Sequence, residues 1–451
     1  MTVSFVTKTI RPDHCDPLFL FRKLGAGEAY CALLESADRT HGVNDLSFLA
    51  LGARDVIRCM PDDAAKGLPP ALRERTGDAR KPGQLTMGYI GYVSFEAARR
   101  FEDIALTPDP SVPDALFVLP EVLLRIDHVA RTVTVTAHAD TALPLKHIEE
   151  IILQSPYRDD ALGRPTENRM LPELADIEPL RQTSRKRFCE HVEAAREKIL
   201  AGEAFQIVLS QELRLQTSAD PIDVYEKLRE INPSPYMYCF RTPERTIVGA
   251  SPETLLRVDG PRMLYRPIAG TRKRTGDAAK DAALQRELLH DPKERCEHQM
   301  LVDLGRNDVG RVAVLGSVRV RDPFHIEAYA HVFHIVSDIE AVLRPEVSPL
   351  DALQAVFPAG TLSGAPKLRA MEILAGLEGS PRGVYGGAFG YVDMNGNIDF
   401  AITIRTLVFD ARGVSLRVGA GIVKDSVAEH EDNECLHKAR SCLAAVFSAQ
   451  S

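Results

Sequence analysis

Apolar and polar positions change period several times along this chain. Up to about residue 155, short alternating runs dominate. Ser4 to Ile10 and Ala29 to Leu34 read as strands, the second ending at Glu35-Ser36, and Leu46 to Met60 reads as a hairpin. Asp16-Pro17 opens a helix through Leu24, which Gly25 stops. Thr86 to Phe95 is an apolar strand whose glycines predict close backbone approach. Leu116 to His138 reads as two strands joined at Asp127-His128. The polar, proline-bearing stretch from Gln154 to Thr183 marks a boundary or crossing segment.

From Ser184 the periods sharpen. Phe188, Val192, Ala195 and Ile199 share one helical face, and Gly202 follows as a stop. Ala204 to Leu215 is a strand, and Val224 to Ile231 is a short helix cut by Asn232-Pro233-Ser234-Pro235. Tyr236 to Phe240 pairs with Thr246 to Ala250. Leu284 to Leu304 is helical, while Val312 to Val320 and Val332 to Val342 are strands. Asn395-Gly396 predicts a hairpin between Phe389–Met394 and Ile398–Phe409. Val414 to Val418 adds a strand, and Glu429 to Phe447 closes with a helix. Helices and strands mix without regular βαβ alternation, which predicts an α+β fold with largely antiparallel sheets.

Composition narrows the classes. A formal net charge of −8 over 451 residues, with no long basic run, argues against a nucleic-acid partner. No stretch approaches the roughly 20 apolar residues of a membrane span, and the opening residues lack a signal-peptide pattern. Eight cysteines without a Cys-x-x-Cys pair read as reduced thiols in a cytoplasmic protein. The chain contains no tryptophan.

Candidate chemistry concentrates in the second half. Glu294 and Glu297 lie three apart on one predicted helix, and Glu431 and Glu434 repeat the spacing near the end, with Lys438 four residues on. Two such faces are either solvated acidic surfaces or, if they meet, a site for a hard cation. Carboxylates without sulfur or paired histidine favour Mg²⁺. Residues 357–369 place glycines before a helix start, with Ser363 or Gly364 as cap and Pro366 in its first turn, an anion-binding geometry that is not a Walker loop. Gly419-Ala420-Gly421 is a tight turn or a set of amides for a carboxylate. Arg405 sits in a β-rich run, where an arginine is rarely buried without an anion. His334 is a core histidine or a reactive one, and Glu253 is a cap or a general acid. Together these groups suit a small substrate with several carboxylates, held partly through Mg²⁺.

The same elements resemble the chorismate-utilising enzymes. Six motifs carry the likeness from about Ser184 to the C-terminus: Pro267-Ile268-Ala269-Gly270-Thr271, Glu297-His298 to Asp308, His331 to Ser337, Gly360 to Lys367, Tyr385 to Tyr391 and Gly419 to Lys438. Leu33-Leu34-Glu35-Ser36 and Gly88-Tyr89-Ile90-Gly91-Tyr92 match more loosely. The resemblance implies an anthranilate synthase-like α+β fold of two facing antiparallel sheets with helices packed outside, in β/α/α/β layers. It implies an N-terminal region (1–155) with a regulatory strand, a crossing segment (156–183) and a chorismate-binding catalytic region (184–451).

It also implies roles. Glu297 and Glu434 would ligate Mg²⁺, with Glu294 and Glu431 holding its waters, and the metal would grip the ring carboxylate of chorismate. Arg405, Tyr385 and the Gly419, Ala420 and Gly421 amides would hold the enolpyruvyl carboxylate, with Lys438 close by. Glu253 would protonate the departing C4 hydroxyl. His334 and Thr361 would border the ring, as would the Ala269, Gly270 and Thr271 stretch. Gln206 stands where water-adding members carry a lysine, and Ala269 where aminodeoxychorismate synthases carry a nucleophilic one. Ammonia is the nucleophile left, which looks like the anthranilate synthase branch of tryptophan biosynthesis.

No Gly-x-Cys-x-Gly nucleophile turn is present, so the resemblance implies a separate glutamine amidotransferase subunit and a hetero-oligomer. Glu35, Ser36, Asn232, Pro235, Tyr236 and Met237 resemble the family's tryptophan-feedback site, although His41-Gly42-Val43-Asn44 departs from its pattern. Competing readings are an isochorismate or aminodeoxychorismate synthase, an enzyme that stops at 2-amino-2-deoxyisochorismate, and a non-catalytic amino-acid sensor.

Overall fold

Two antiparallel sheets divide the strands, and both draw on the first 155 residues as well as on the rest. The computed structural model describes residues 4–36, 46–77, 82–83, 85–156 and 171–450. The 11-stranded sheet runs Phe5–Ile10, Thr132–His138, Val122–Asp127, Leu46–Leu51, Cys31–Glu35, Tyr236–Arg241, Thr246–Ser251, Thr406–Asp410, Gly413–Ile422, Gln206–Leu215, Gly364–Ala365. The 10-stranded sheet runs Ile268–Lys273, Val332–Val342, Arg262–Tyr265, Thr254–Asp259, Ile398–Ile402, Ala388–Asp393, Gly88–Val93, Ala115–Leu119, Asp55–Cys59. Arg319–Ala328 adds to it by pairing with Val332–Val342.

The sheets face each other. Tyr238 of the larger sheet stacks on Phe389 of the smaller at 4.2 Å between ring centroids, and Phe48 meets Tyr391 at 6.0 Å. One apolar core, with Phe117, Phe240 and Phe400, fills the space between them. A second core lies between the larger sheet and the helices Pro17–Leu24, Arg185–Leu200, Pro221–Ile231 and Ala428–Ala449. The layers therefore run helix, sheet, sheet, helix; the expected facing sheets with outer helices hold, and the β/α/α/β order does not.

Local chemistry explains most boundaries. The side chains of Asp16 and Ser184 accept the Leu18 and Arg187 amides, capping helices that begin where the sequence predicts. The expected helix over Leu284 to Leu304 is two helices, Ala278–His290 and Pro292–Gly310. Asp291 turns the chain between them and accepts the amides of Lys293 and Glu294. Pro366, not Ser363 or Gly364, caps the helix Lys367–Glu378. The Thr86 to Phe95 glycines behave as predicted, since a Cβ on Gly91 would come within 1.8 Å of the Leu116 carbonyl oxygen.

Four strand assignments change, each because the chain switches sheets or turns. Leu46 to Met60 is not a hairpin: Leu46–Leu51 and Asp55–Cys59 enter different sheets. Leu116 to His138 holds three strands, and the earliest pairs with Gly88–Val93 instead of its sequence neighbour. Val312 to Val320 is largely a turn around Gly316, which has φ +75°, and the strand begins at Arg319. Ile398–Phe409 divides at Arg405, whose φ of +50° ends one sheet's pairing before Thr406 joins the other.

Candidate active site

That division places Arg405 at the crossover between the sheets. Its guanidinium has no carboxylate partner among the described residues, and burial pushes its pKa down. A cation held this way can accept an anionic ligand.

Around it the chain sets an acid and a base in opposite states. Glu253 follows the strand Thr246–Ser251 and is buried. Burial pushes its carboxyl up to about 8, although Thr361 Oγ1 donates to Oε1 at 2.9 Å and Arg405 and Lys438 act in the other direction. Glu253 thus holds a proton at neutral pH. His334 lies on Val332–Val342 opposite Thr271. A bulge at Gly270, with φ +63°, turns that residue's carbonyl toward the ring. His334 Nδ1–H donates to Gly270 O at 2.8 Å, with Thr271 Oγ1 at 3.2 Å, which leaves Nε2 as a buried lone pair without a partner. Burial, then the Arg405 charge, pushes His334 down to about 4.

The acidic helices meet at the same site. Glu297 of Pro292–Gly310 accepts Gln206 Nε2 at 3.0 Å, while Gln206 Oε1 is buried without a partner. Burial raises Glu297, and the charges of Glu294 and Glu434 raise it further. Glu434 pairs with Lys438 at 2.8 Å, and Lys438 Nζ also donates to Gly419 O at 2.9 Å. Burial works against the Lys438 ammonium, but Glu434 more than offsets it. Burial also raises Glu431, with Glu434 adding to it. Glu294 instead accepts Arg272 at 3.0 Å.

Glycines let a strand lie against this cluster. A Cβ on Gly421 would stand 2.6 Å from Gln206 Nε2, and one on Gly419 would stand 2.7 Å from Tyr385 Oη. Ala420 between them turns its side chain into the helix-side core. Ala269 pairs with Ile335 beside the Gly270 bulge.

These donors fit a hard cation only in part as they stand. Among the described residues no three of His, Cys, Asp or Glu close on one point. Glu297 and Glu431, both raised by burial and then by neighbouring carboxylates, together with an orphaned amide oxygen suit an ion that keeps waters and takes its remaining oxygens from a substrate.

The inhibitor candidates divide between two faces. Glu35 lies opposite Met237 and is buried toward the helix Pro221–Ile231. Its Oε2 accepts Tyr225 Oη at 2.6 Å and its Oε1 accepts Arg229 Nη2 at 2.9 Å. Ser36 follows that strand, and Asn232 and Pro235 lie in the turn before Met237, with Asn232 Nδ2 buried and unpartnered. Tyr236 points the other way, donating to Asp399 Oδ1 at 2.8 Å in the smaller sheet. The stretch His41-Gly42-Val43-Asn44 lies outside the described residues.

Lys367, weighed as an anion binder, is committed elsewhere: its Nζ holds Asp308 Oδ2 at 2.6 Å and Val356 O at 2.9 Å. Sequence reasoning missed Arg382, which pairs with Glu378 at 2.6 Å and lies 5.8 Å from the Tyr385 ring centroid. The helix ends at Glu378 with Gly379 at φ +65°, so the spacing of Glu378 and Arg382 carried no helix-face signal for the pair. A cleft of about 710 Å³ lined by Lys66, Arg73, Arg100 and Arg311 contains none of the candidate residues.

Known proteins resemble this chain over nearly its whole length. Residues 29–444 match the chorismate binding enzyme family. Anthranilate synthase component 1 of Streptomyces coelicolor is 41% identical over 455 residues, covering 97% of this chain and 88% of that protein. The Thermus thermophilus protein of the same name is 40% identical over 469 residues, covering 98% of each. Anthranilate synthase component I from Streptococcus pneumoniae superposes with a TM-score of 0.74 at 33% identity, covering 89% of this chain and 92% of that one. The menaquinone-specific isochorismate synthase from Escherichia coli shares the fold, with a TM-score of 0.73 at 20% identity over 99% of this chain and 95% of that one. With a matched span that takes in every catalytic, substrate and metal candidate above, this chain belongs to the chorismate binding enzyme family.

Proposed function

We propose that this chain converts chorismate and ammonia to anthranilate and pyruvate. One observation carries the reading: a proton-bearing Glu253 and a proton-free His334 sense the same Arg405, so acid and base share one site.

Arg405 and the Gly419 to Gly421 strand receive the enolpyruvyl carboxylate, with Tyr385 behind. Glu297 and Glu434 would hold Mg²⁺, which would supply positive charge to the ring carboxylate; Glu294 and Glu431 would support them. Gln206 Oε1 gives one N–H of ammonia an acceptor. Ammonia adds at C2, the ring double bonds shift, and the C4 hydroxyl leaves as water with the proton of Glu253. His334 Nε2 then takes the C2 proton as the C3–O bond breaks. The ring becomes aromatic, and the enolpyruvyl group leaves as pyruvate. Gln206 cannot act as a base toward water, and the Ala269 methyl cannot attack C2.

Ammonia would come from a separate glutamine amidotransferase subunit. The Glu35, Ser36 and Met237 region would bind tryptophan as an inhibitor, making residues 1–155 regulatory. No helix among the described residues is long and apolar enough to cross a membrane.

The nucleophile is tested by turnover in ¹⁵N-ammonium and ¹⁸O-water, read by mass spectrometry. The reading expects one ¹⁵N in the aromatic product and no ¹⁸O in any ring product. A ring product carrying ¹⁸O and no ¹⁵N would replace it with water addition.

A further inference from the structure

The geometry points to Tyr329 as the residue that positions His334 for the second, aromatising step, with Glu327 and Arg266 holding it there. The inference rests on the function proposed above and concerns residues to which that reading gives no role.

His334 is held at its Nδ1 edge, by its bond to Gly270 O and by Thr271 Oγ1 at 3.2 Å. Rotation about that bond would swing Nε2 away from the ring carbon it must deprotonate. The Tyr329 ring blocks that swing. It meets the imidazole edge to face, with centroids 5.2 Å apart and planes at 70°. Tyr329 is itself held at three points. Its amide donates to Val332 O at 2.9 Å, its carbonyl accepts Arg274 Nη1 at 2.6 Å, and its hydroxyl donates to Glu327 Oε2 at 2.8 Å.

Glu327 sits directly across from His334 in the sheet register, so the anchor and the base share one rung. Its other oxygen accepts Arg266 and, at 3.1 Å, His325 Nε2. Arg266 in turn holds Asp338 Oδ1 at 2.7 Å, four residues beyond His334 on the same strand. Tyr329 and Glu327 are each 4% exposed, so the end of the network nearest His334 is buried, while Arg266, Asp338 and His325 are partly exposed. A buried network of this kind is costly if incomplete and rigid when satisfied, and its rigid end is the aromatic face against His334.

The step it serves is balanced without another reactant: the C2–H and C3–O bonds break, His334 takes the C2 proton, the C2–H electron pair forms the C2=C3 bond that closes the aromatic ring, and the C3–O pair leaves on the enolate of pyruvate, whose methylene carbon then takes up a proton. Tyr329 touches none of those atoms. Its loss should therefore spare ammonia addition, which uses Glu253, and impair pyruvate loss, which uses His334.

The test is product partition in Tyr329→Leu and Tyr329→Phe, with chorismate, Mg²⁺ and an ammonium salt. Chorismate consumption and anthranilate are followed separately, and the amino intermediate by mass spectrometry. Tyr329→Leu should keep consumption within about threefold while raising the ratio of intermediate to anthranilate at least tenfold. Tyr329→Phe, which keeps the ring and folds as the milder change, should raise the ratio by a smaller factor. An unchanged ratio in Tyr329→Phe together with an equal fall of both rates in Tyr329→Leu would overturn the inference, as would unchanged partition in both. A wild-type chain that consumes chorismate without forming anthranilate would instead overturn the underlying function.

Discussion

Thr361 Oγ1 donates to Glu253 Oε1 at 2.9 Å, a short polar contact inside an otherwise desolvating pocket. The bond favours the charged carboxylate, while burial favours the acid and wins. Thr361→Val removes the opposing contribution, so the carboxyl should rise further. The alkaline limb of the kcat/KM profile, set in the wild type near the Glu253 value of about 8, should move to higher pH. A limb that stays put or moves down would show that another group sets it.

Glu253 also ties stability to pH. Its folded pKa of about 8 lies above the ordinary value of 4.5. Between those values the folded state binds more protons than the unfolded one, so stability falls as pH rises through that window. Glu253→Gln should lose that fall while lowering turnover roughly 10²–10⁴-fold, the usual range for a general acid. Melting temperatures at pH 5.5 and 8.5 check it; parallel wild-type and variant profiles would contradict it.

Lys367 and Asp308 form a buried pair at 2.6 Å. Lys367→Met leaves Asp308 as an uncompensated buried charge and should cost about 3–5 kcal/mol in urea unfolding. Adding Asp308→Leu should recover much of that. A single-variant loss below about 1 kcal/mol would mean that water reaches the pair.

At the proposed regulatory strand, Ser36→Ala should relieve the proposed tryptophan inhibition with little change in melting temperature. Glu35→Gln should also relieve it, but at a cost in stability, because Arg229 and Tyr225 lose a buried carboxylate partner. Full inhibition retained in both variants would place the effector elsewhere.

Much of the site was legible because its chemistry needs particular residues at fixed spacings. Glu294 with Glu297, and Glu431 with Glu434, each fall on one helix, and the Gly419 to Gly421 run lies against Gln206 and Tyr385. The fold was legible where local signals decide it, as at the Asp16 and Ser184 caps and the turn at Asn395-Gly396. It was not legible where the chain changes sheets. Period-two alternation is the same on either side of Arg405, so nothing in Ile398–Phe409 marks which strand belongs to which sheet. Tyr329 and Glu327 escaped notice for a related reason. Their meaning lies in the register with His334, which pairing sets and spacing does not.

The most direct test of the central claim is anthranilate fluorescence from the purified chain with chorismate, Mg²⁺ and an ammonium salt at mildly alkaline pH, beside an EDTA control. The account predicts a steady rise that EDTA abolishes. Chorismate consumed with no fluorescence, or a rise indifferent to EDTA, would contradict it.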